Sequence, residues 1–377
     1  MKRAPTILID ASDIDKPSGG RTAVLELLRA LFALEADWRY IVLVSQREAD
    51  FMFPGVRQVI VPFRKRILER LWIQLAVAYY VWVKRVGLVH FARTMGGIAW
   101  PARNVLTVFD ITAVHYPELH SPLAVWLWRY VHPFLMRQAD RIIAISQNVA
   151  DDLMREFRLP ADRIEVVYCA PKEVFQQRVE QPAVDVVRHK YGLPERYILY
   201  VGLIAKKKNL GTLVRALSVL HERQATDLSL VMAGRRYRQS EDVDVFEQVR
   251  ALGLEAEVQY IGPVEDADLP GLYGGAQVLV YPSLHEGFGI PCLEAMACRV
   301  PVVAAKSGAI PEVVGDAALL VDDPTDVHQL ADAIHRACTD QSLRQELLAR
   351  ASIRVRQFSW SKSAEQVLAL YRHLLRV

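Results

Sequence analysis

Tyr281-Pro-Ser-Leu-His-Glu286-Gly-Phe-Gly-Ile-Pro-Cys-Leu-Glu294-Ala-Met-Ala297 carries the short apolar run Val278–Tyr281 into a segment of helical character. The join is a turn rich in Gly and Pro, with a carboxylate at each end and seven residues between the two. Small residues let a ligand approach the backbone closely, and N–H groups at a helix start can hold phosphate. Carboxylates accept hydrogen bonds from sugar hydroxyls. The segment therefore suits a ligand that is part phosphate and part sugar. Taken alone it fits equally well a structural strand-to-helix turn capped by Glu286.

Outward from this stretch, short apolar runs rich in β-branched residues alternate with longer helical patterns. Thr6–Asp10, Tyr40–Val44, Leu88–Phe91, Asn104–Phe109, Arg141–Ser146 and Glu165–Tyr168 read as strands of a first half. Tyr197–Gly202, Ser229–Ala233, Val258–Ile261, Val278–Tyr281 and Val300–Ala304 read as strands of a second. Strands apolar on both faces and separated by helices predict parallel sheets with covered faces. The expected fold class is α/β, with two Rossmann-like doubly wound domains facing across a cleft. The boundary is placed in the polar, proline-flanked Pro171–Pro194. The expected domains are 1–180 for the acceptor, 181–360 for the donor, and a final helix within 361–377 returning toward the first domain. At 377 residues, two domains are the natural expectation.

A second signal follows the strand at Tyr197. Gly202-Leu-Ile-Ala-Lys206-Lys207-Lys208-Asn209 puts three lysines at a strand's carboxyl end, where open α/β sheets bind ligands. Such charge neutralises a diphosphate and stabilises it as a leaving group. A solvated helix start is the plainer alternative.

Composition narrows the field. The net charge is +3, with the first 183 residues at +5 and the remainder at −2. The basic front half fits an anionic acceptor or a membrane surface, or ordinary surface variation. Cys169, Cys292, Cys298 and Cys338 form no CxxC pair, which argues against a disulfide framework or zinc site and fits a reducing compartment. Met1-Lys-Arg-Ala-Pro leads directly into a strand, unlike a signal peptide. No GxGxxG follows an expected strand and no GxxxxGK[ST] occurs, which disfavours dinucleotide oxidoreductases and P-loop NTPases. Asp13-Ile-Asp15, Asp242-Val-Asp244 and Asp266-Ala-Asp268 match DxD, unsurprising among 43 acidic residues. Trp72, Trp82, Trp126 and Trp128 sit in aromatic, partly basic helical stretches. These read either as core helices or as helices lying on a membrane, with the core favoured for Leu71–Val83.

Together these segments resemble the retaining nucleotide-sugar glycosyltransferases of family 4, which have the GT-B fold. The likeness is most specific at Glu286…Glu294, the family's E-x7-E motif. It continues through Ile310-Pro-Glu-Val-Val-Gly-Asp-Ala-Ala-Leu-Leu-Val and Phe358-Ser-Trp, and through Ser18-Gly-Gly-Arg-Thr and Ile142-Ile-Ala-Ile-Ser-Gln-Asn-Val upstream. The resemblance implies that Glu286 contacts the donor sugar, Glu294 the ribose, and Lys207 and Lys208 the diphosphate. Gly289 and Ile290 would support the phosphates through their backbone. Gly19 and Gly20 would approach donor or acceptor, Arg235 would lie near the base and Val264 would frame it. Asp110, preceded by Phe109 where many relatives have His, is the expected contribution of the first domain, with His115 as a substitute. Leu203 stands where many relatives carry Arg.

The resemblance further implies a hexosyltransferase that uses GDP-mannose, or nearly as readily a UDP-sugar, with a glycan or lipid-linked acceptor. No metal and no cofactor are required, because lysines neutralise the diphosphate, and no nucleic acid is involved. The expected location is cytoplasmic, with peripheral contact at the inner membrane face. A GT-B nucleotide-sugar epimerase and a non-catalytic nucleotide-sugar-binding partner are the alternatives.

Overall fold

The computed structural model describes residues 4–15, 19–35, 37–63, 65–93, 96–177, 179–223, 227–236 and 243–376. Ser18 and Asp242, which belong to two of the motifs above, lie outside these residues. The chain divides into two compact units, Met1–Cys169 with Ser359–Val377, and Ala170–Phe358. The division lies upstream of residue 180 because the residues just past Cys169 pack with the second unit. Lys172 pairs with Asp266 at 2.6 Å, and the Phe175 ring meets Tyr273 edge-on at 5.6 Å.

The first unit is built on seven strands: β1 (Thr6–Asp10), β2 (Arg39–Val44), β3 (Val56–Ile60), β4 (Leu88–Phe91), β5 (Arg103–Val108), β6 (Arg141–Ala144) and β7 (Ile164–Val166). Their order is β3-β2-β1-β4-β5-β6-β7, and every pairing is parallel. The order reverses between β1 and β4. Of the central strands, β4 is buried throughout and β1 from Ile7 onward, as their largely apolar character requires. Strand β3 carries Arg57 and Gln58 and is half exposed at the sheet edge, which is why hydrophobic pattern did not announce it.

The last helix, Trp360–Leu375, belongs to this unit and packs on the helix Gly19–Leu34. The Tyr371 hydroxyl lies 2.5 Å from His90 Nδ1, and Thr107 Oγ1 lies 2.7 Å from His90 Nε2. Burial lowers the His90 pKa to about 3, so the imidazole is neutral and fully engaged by two hydroxyls. Ser363 donates to the Tyr168 carbonyl at 2.6 Å.

The helix Arg66–Trp82 is apolar nearly all round. Ile73, Val77, Tyr80 and Val81 are buried, while Ile67, Leu71, Leu75 and Trp82 are exposed. The core reading of Leu71–Val83 therefore holds for one face only.

The second unit repeats the plan with β8 (Tyr197–Val201), β9 (Ser229–Ala233), β10 (Val258–Gly262), β11 (Val278–Tyr281), β12 (Val302–Ala305) and β13 (Leu319–Val321). The order is β10-β9-β8-β11-β12-β13, again wholly parallel. It reverses between β8 and β11. Strand β13 is three residues long at an edge, too short for its pattern to be read. All four cysteines are free.

Candidate active site

Ligands of open α/β sheets bind beyond the carboxyl ends of the strands where the order reverses. In the second unit those ends are Val201 of β8 and Tyr281 of β11. The lysine segment follows the first and the Glu286 loop follows the second, so topology brings the two sequence signals together.

Local chemistry locks both loops. After β8 the Tyr200 hydroxyl donates to the Leu203 carbonyl at 2.7 Å, and Ile204 N–H donates to the Arg235 carbonyl at 2.8 Å. Gly234 makes that approach possible. At φ +134° its absent Cβ would fall 1.9 Å from the Gly202 oxygen. A single tight turn presents Lys206–Lys208 and ends at Asn209, which has φ +55°. Asn tolerates this left-handed conformation better than most residues. Its side chain donates to the Pro282 carbonyl at 3.1 Å, and Leu284 N–H donates to the Lys207 carbonyl at 2.8 Å. Each loop is thus hydrogen-bonded to the other.

The consequence is a buried ion pair between Lys208 and Glu286. Lys208 Nζ also donates to the Tyr281 hydroxyl at 3.0 Å. Burial alone would raise the Glu286 pKa. The charges of Lys208 and Lys207, with hydrogen bonding, outweigh that and hold it below the usual range. Glu286 is ionised near neutrality. Gly308 fixes its backbone: at φ +53° a Cβ there would sit 2.2 Å from the Glu286 oxygen, which accepts from Ala309 N–H at 2.9 Å.

Gly289, at φ +100°, turns the chain into the helix Ile290–Ala297, whose first turn contains Pro291. Glu294 is buried on this helix and accepts a hydrogen bond from the Tyr273 hydroxyl at 2.8 Å. Burial raises its pKa to about 7, offset only partly by Tyr273 and Lys172. The two glutamates therefore differ in kind: one is held charged by lysines, the other lies close to its titration point.

Lys207 is half-buried beside the pair, and Lys206 is exposed. Arg235 is exposed just past β9, and Val264 is half-buried just past β10. In the first unit, Gly19 and Gly20 open the helix Gly19–Leu34. Open space surrounds the position a Gly19 Cβ would take. Asp110 Oδ1 accepts Thr112 N–H at 3.1 Å, shaping the short helix Thr112–His115. His115 Nδ1 lies 3.8 Å from Asp152, and its Nε2 lies 3.8 Å from Glu156.

Sequence reasoning missed Tyr273, Tyr281, Asn209 and Gly308 as parts of this site. Tyr281 ends the apolar strand before the loop and Asn209 ends the lysine run, so both had a positional signal. Tyr273 and Gly308 had none.

A doubly wound domain that gathers lysines, a buried carboxylate and a glycine-opened helix at its switch point has the chemistry of a site for an anionic, hydroxyl-bearing ligand. Comparison with known proteins gives the chain its family. The Glycosyltransferase Family 4 profile matches residues 17–170, and that of Glycosyl transferases group 1 matches residues 185–354. The O-antigen chain mannosyltransferase B of Escherichia coli is 36% identical over 276 residues, which cover 72% of this chain and 71% of that protein. The serotype-specific mannosyltransferase WbdA of Escherichia coli is 31% identical over 245 residues, 63% of this chain but only 29% of that longer protein. In fold, the chain is similar to sucrose-phosphate synthase from Thermosynechococcus elongatus. The TM-score is 0.81 at 23% identity, with 99% of each chain covered. The chain belongs to the GT-B glycosyltransferases, related to group 1 and family 4, enzymes that act on nucleotide-sugar donors.

Proposed function

We propose that the chain is a retaining mannosyltransferase that moves mannose from GDP-mannose to a glycan or lipid-linked acceptor. The observation that carries this reading is the buried Lys208–Glu286 pair at the switch point. It sets a carboxylate able to accept from sugar hydroxyls against a cation able to meet phosphate. The names of two similar proteins, both mannosyltransferases, favour mannose over other hexoses.

In this reading Lys207 and Lys208 take the donor diphosphate, and Glu286 accepts hydrogen bonds from the sugar hydroxyls. Glu294 accepts from the ribose while Tyr273 holds its carboxylate in place. The bond from the anomeric carbon to the diphosphate oxygen breaks, and the acceptor oxygen bonds to that carbon on the same face. The acceptor proton passes to the departing phosphate, so no covalent nucleophile and no metal is needed. Asp110 and His115 serve the acceptor side.

The test is incubation of the purified chain with GDP-mannose, UDP-glucose and a lipid-linked glycan, with NMR of the product's anomeric configuration. Transfer of mannose with retention is expected, together with a rise in melting temperature on adding GDP. Glu286→Ala is expected to abolish transfer while leaving GDP binding measurable, and Glu294→Ala to weaken GDP binding about tenfold or more. If neither GDP nor UDP moves the melting temperature, the reading fails.

A further inference from the structure

We propose that the outer face of the helix Arg66–Trp82, with the loop at 96–101 fixed beside it, lies on the surface of an anionic lipid bilayer. The inference holds whichever sugar is transferred.

The face is continuous along the helix. Ile67, Leu71, Leu75, Tyr79 and Trp82 follow one another at helical spacing, and their exposures are 77%, 59%, 70%, 47% and 58%. A soluble surface helix normally turns polar residues outward. Here the outward stripe has none, while the opposite side packs into the domain through Ile73, Val77 and Val81.

The neighbouring loop is held in place to extend this surface. Gln74 spans the backbone of Ile98, donating to its carbonyl at 2.6 Å and accepting its N–H at 3.0 Å. Gly97 permits the contact, since a Cβ there would meet the Gln74 oxygen at 2.6 Å. Fixed in this way, Ile98 is 49% exposed and Trp100 is 73% exposed. The Trp82 and Trp100 rings lie 5.5 Å apart. Exposed apolar patches of this extent mark interaction sites.

Charge selects the occupant. Residues 64–85 contain Arg64, Lys65, Arg66, Arg70, Lys84 and Arg85 against one acid, Glu69. Glu69 is buried, and Lys65, Lys84 and Arg85 are exposed at the two ends of the stripe. Lys84 Nζ stands 5.7 Å from the Tyr79 ring centre. Apolar residues along the middle, Trp and Tyr among them, and cations at both ends match an acyl–headgroup boundary carrying negative charge. The chain lies on such a surface and does not cross it here. The helix has 17 residues, and no helix among the described residues is long and apolar enough to span a membrane.

The experiment is sedimentation of the full chain with vesicles of phosphatidylcholine alone and of phosphatidylcholine mixed with phosphatidylglycerol. Binding to the mixed vesicles is expected, at least about tenfold tighter than to phosphatidylcholine. Combining Leu71→Ser, Leu75→Ser, Trp82→Ser and Trp100→Ser should weaken it about a hundredfold or more. The far-ultraviolet spectrum and the melting shift with GDP should stay unchanged. Quenching of tryptophan emission by bromine-labelled acyl chains reads insertion in the unaltered chain, independently of any variant. The proposal is overturned if the wild type ignores anionic vesicles or if the fourfold variant binds as well as the wild type. It is equally overturned if the face instead mediates a concentration-dependent dimer that vesicles do not disturb.

Discussion

The Tyr273 hydroxyl donates to Glu294 Oε2 at 2.8 Å, with both residues buried. Burial dominates this carboxyl and moves its pKa from 4.5 to about 7, while the Tyr273 hydrogen bond acts less strongly in the opposite direction. Between those two pH values the folded chain keeps a proton that the unfolded chain has lost. Stability from this group is complete below 4.5 and is lost as pH rises through about 7. The slope is at most about 1.4 kcal/mol per pH unit. Glu294→Gln keeps an acceptor for Tyr273 and removes the titration. Its melting temperature relative to wild type is expected to climb across that window; parallel curves would refute the assignment.

The Lys208–Glu286 pair supplies a second test. Removing one partner strands the other charge in a buried site, whereas removing both leaves no charge to solvate. Lys208→Met is expected to lower the melting temperature by about 5–10 °C. With the lysine gone, burial governs Glu286 and its pKa should rise. The double variant Lys208→Met, Glu286→Leu should melt above the single variant while remaining inactive. Additive losses in the double variant would show that the two side chains do not act as a pair.

The same pair shows where sequence sufficed and where it stopped. Strands such as Leu88–Phe91 and Val278–Tyr281 are buried on both faces and mostly apolar, so pattern located them and the α/β class followed. The edge strands β3 and β13 escaped because one is polar and the other short. Lys208 and Glu286 were each visible as loop residues, but their direct contact depends on strand order. That order makes β8 and β11 neighbours although they are far apart in the chain. Tyr273 was invisible for a related reason, since a buried tyrosine reads as core until its hydroxyl finds a carboxylate. The exposed face of Arg66–Trp82 could not be told from a core face, because composition does not reveal which side of an apolar helix meets the sheet.

Two glycines of like backbone conformation should behave differently. Gly308 and Gly192 have φ +53° and +60°, so alanine strains each by roughly 1–2 kcal/mol. Only at 308 would the new methyl collide, at 2.2 Å from the Glu286 carbonyl oxygen, whereas space around Gly192 is open. Gly308→Ala is expected to shift Glu286 and cut kcat about a hundredfold. Gly192→Ala should melt slightly earlier with kcat unchanged. Equal kcat in the two variants would mean that the clamp at 308 does not position the carboxylate.

In the first unit the final helix is held to the sheet through a polar contact that can be removed by one atom. Tyr371→Phe leaves the neutral, buried His90 without its 2.5 Å partner, at a cost of about 1–3 kcal/mol. The ring remains, so packing against the helix Gly19–Leu34 should survive and the loss should be local. Hydrogen exchange is expected to quicken in Trp360–Leu375 and in β4, with the second unit unaltered. Because burial has lowered the His90 pKa to about 3, this group opposes folding more strongly as acid charges it in the unfolded chain. Its contribution is complete above 6.5 and fades as pH falls toward 3. The wild type should therefore lose protection of that helix in mild acid, and Tyr371→Phe should lose it at a higher pH. Exchange that stays the same in both proteins across this range would exclude His90 as the anchor.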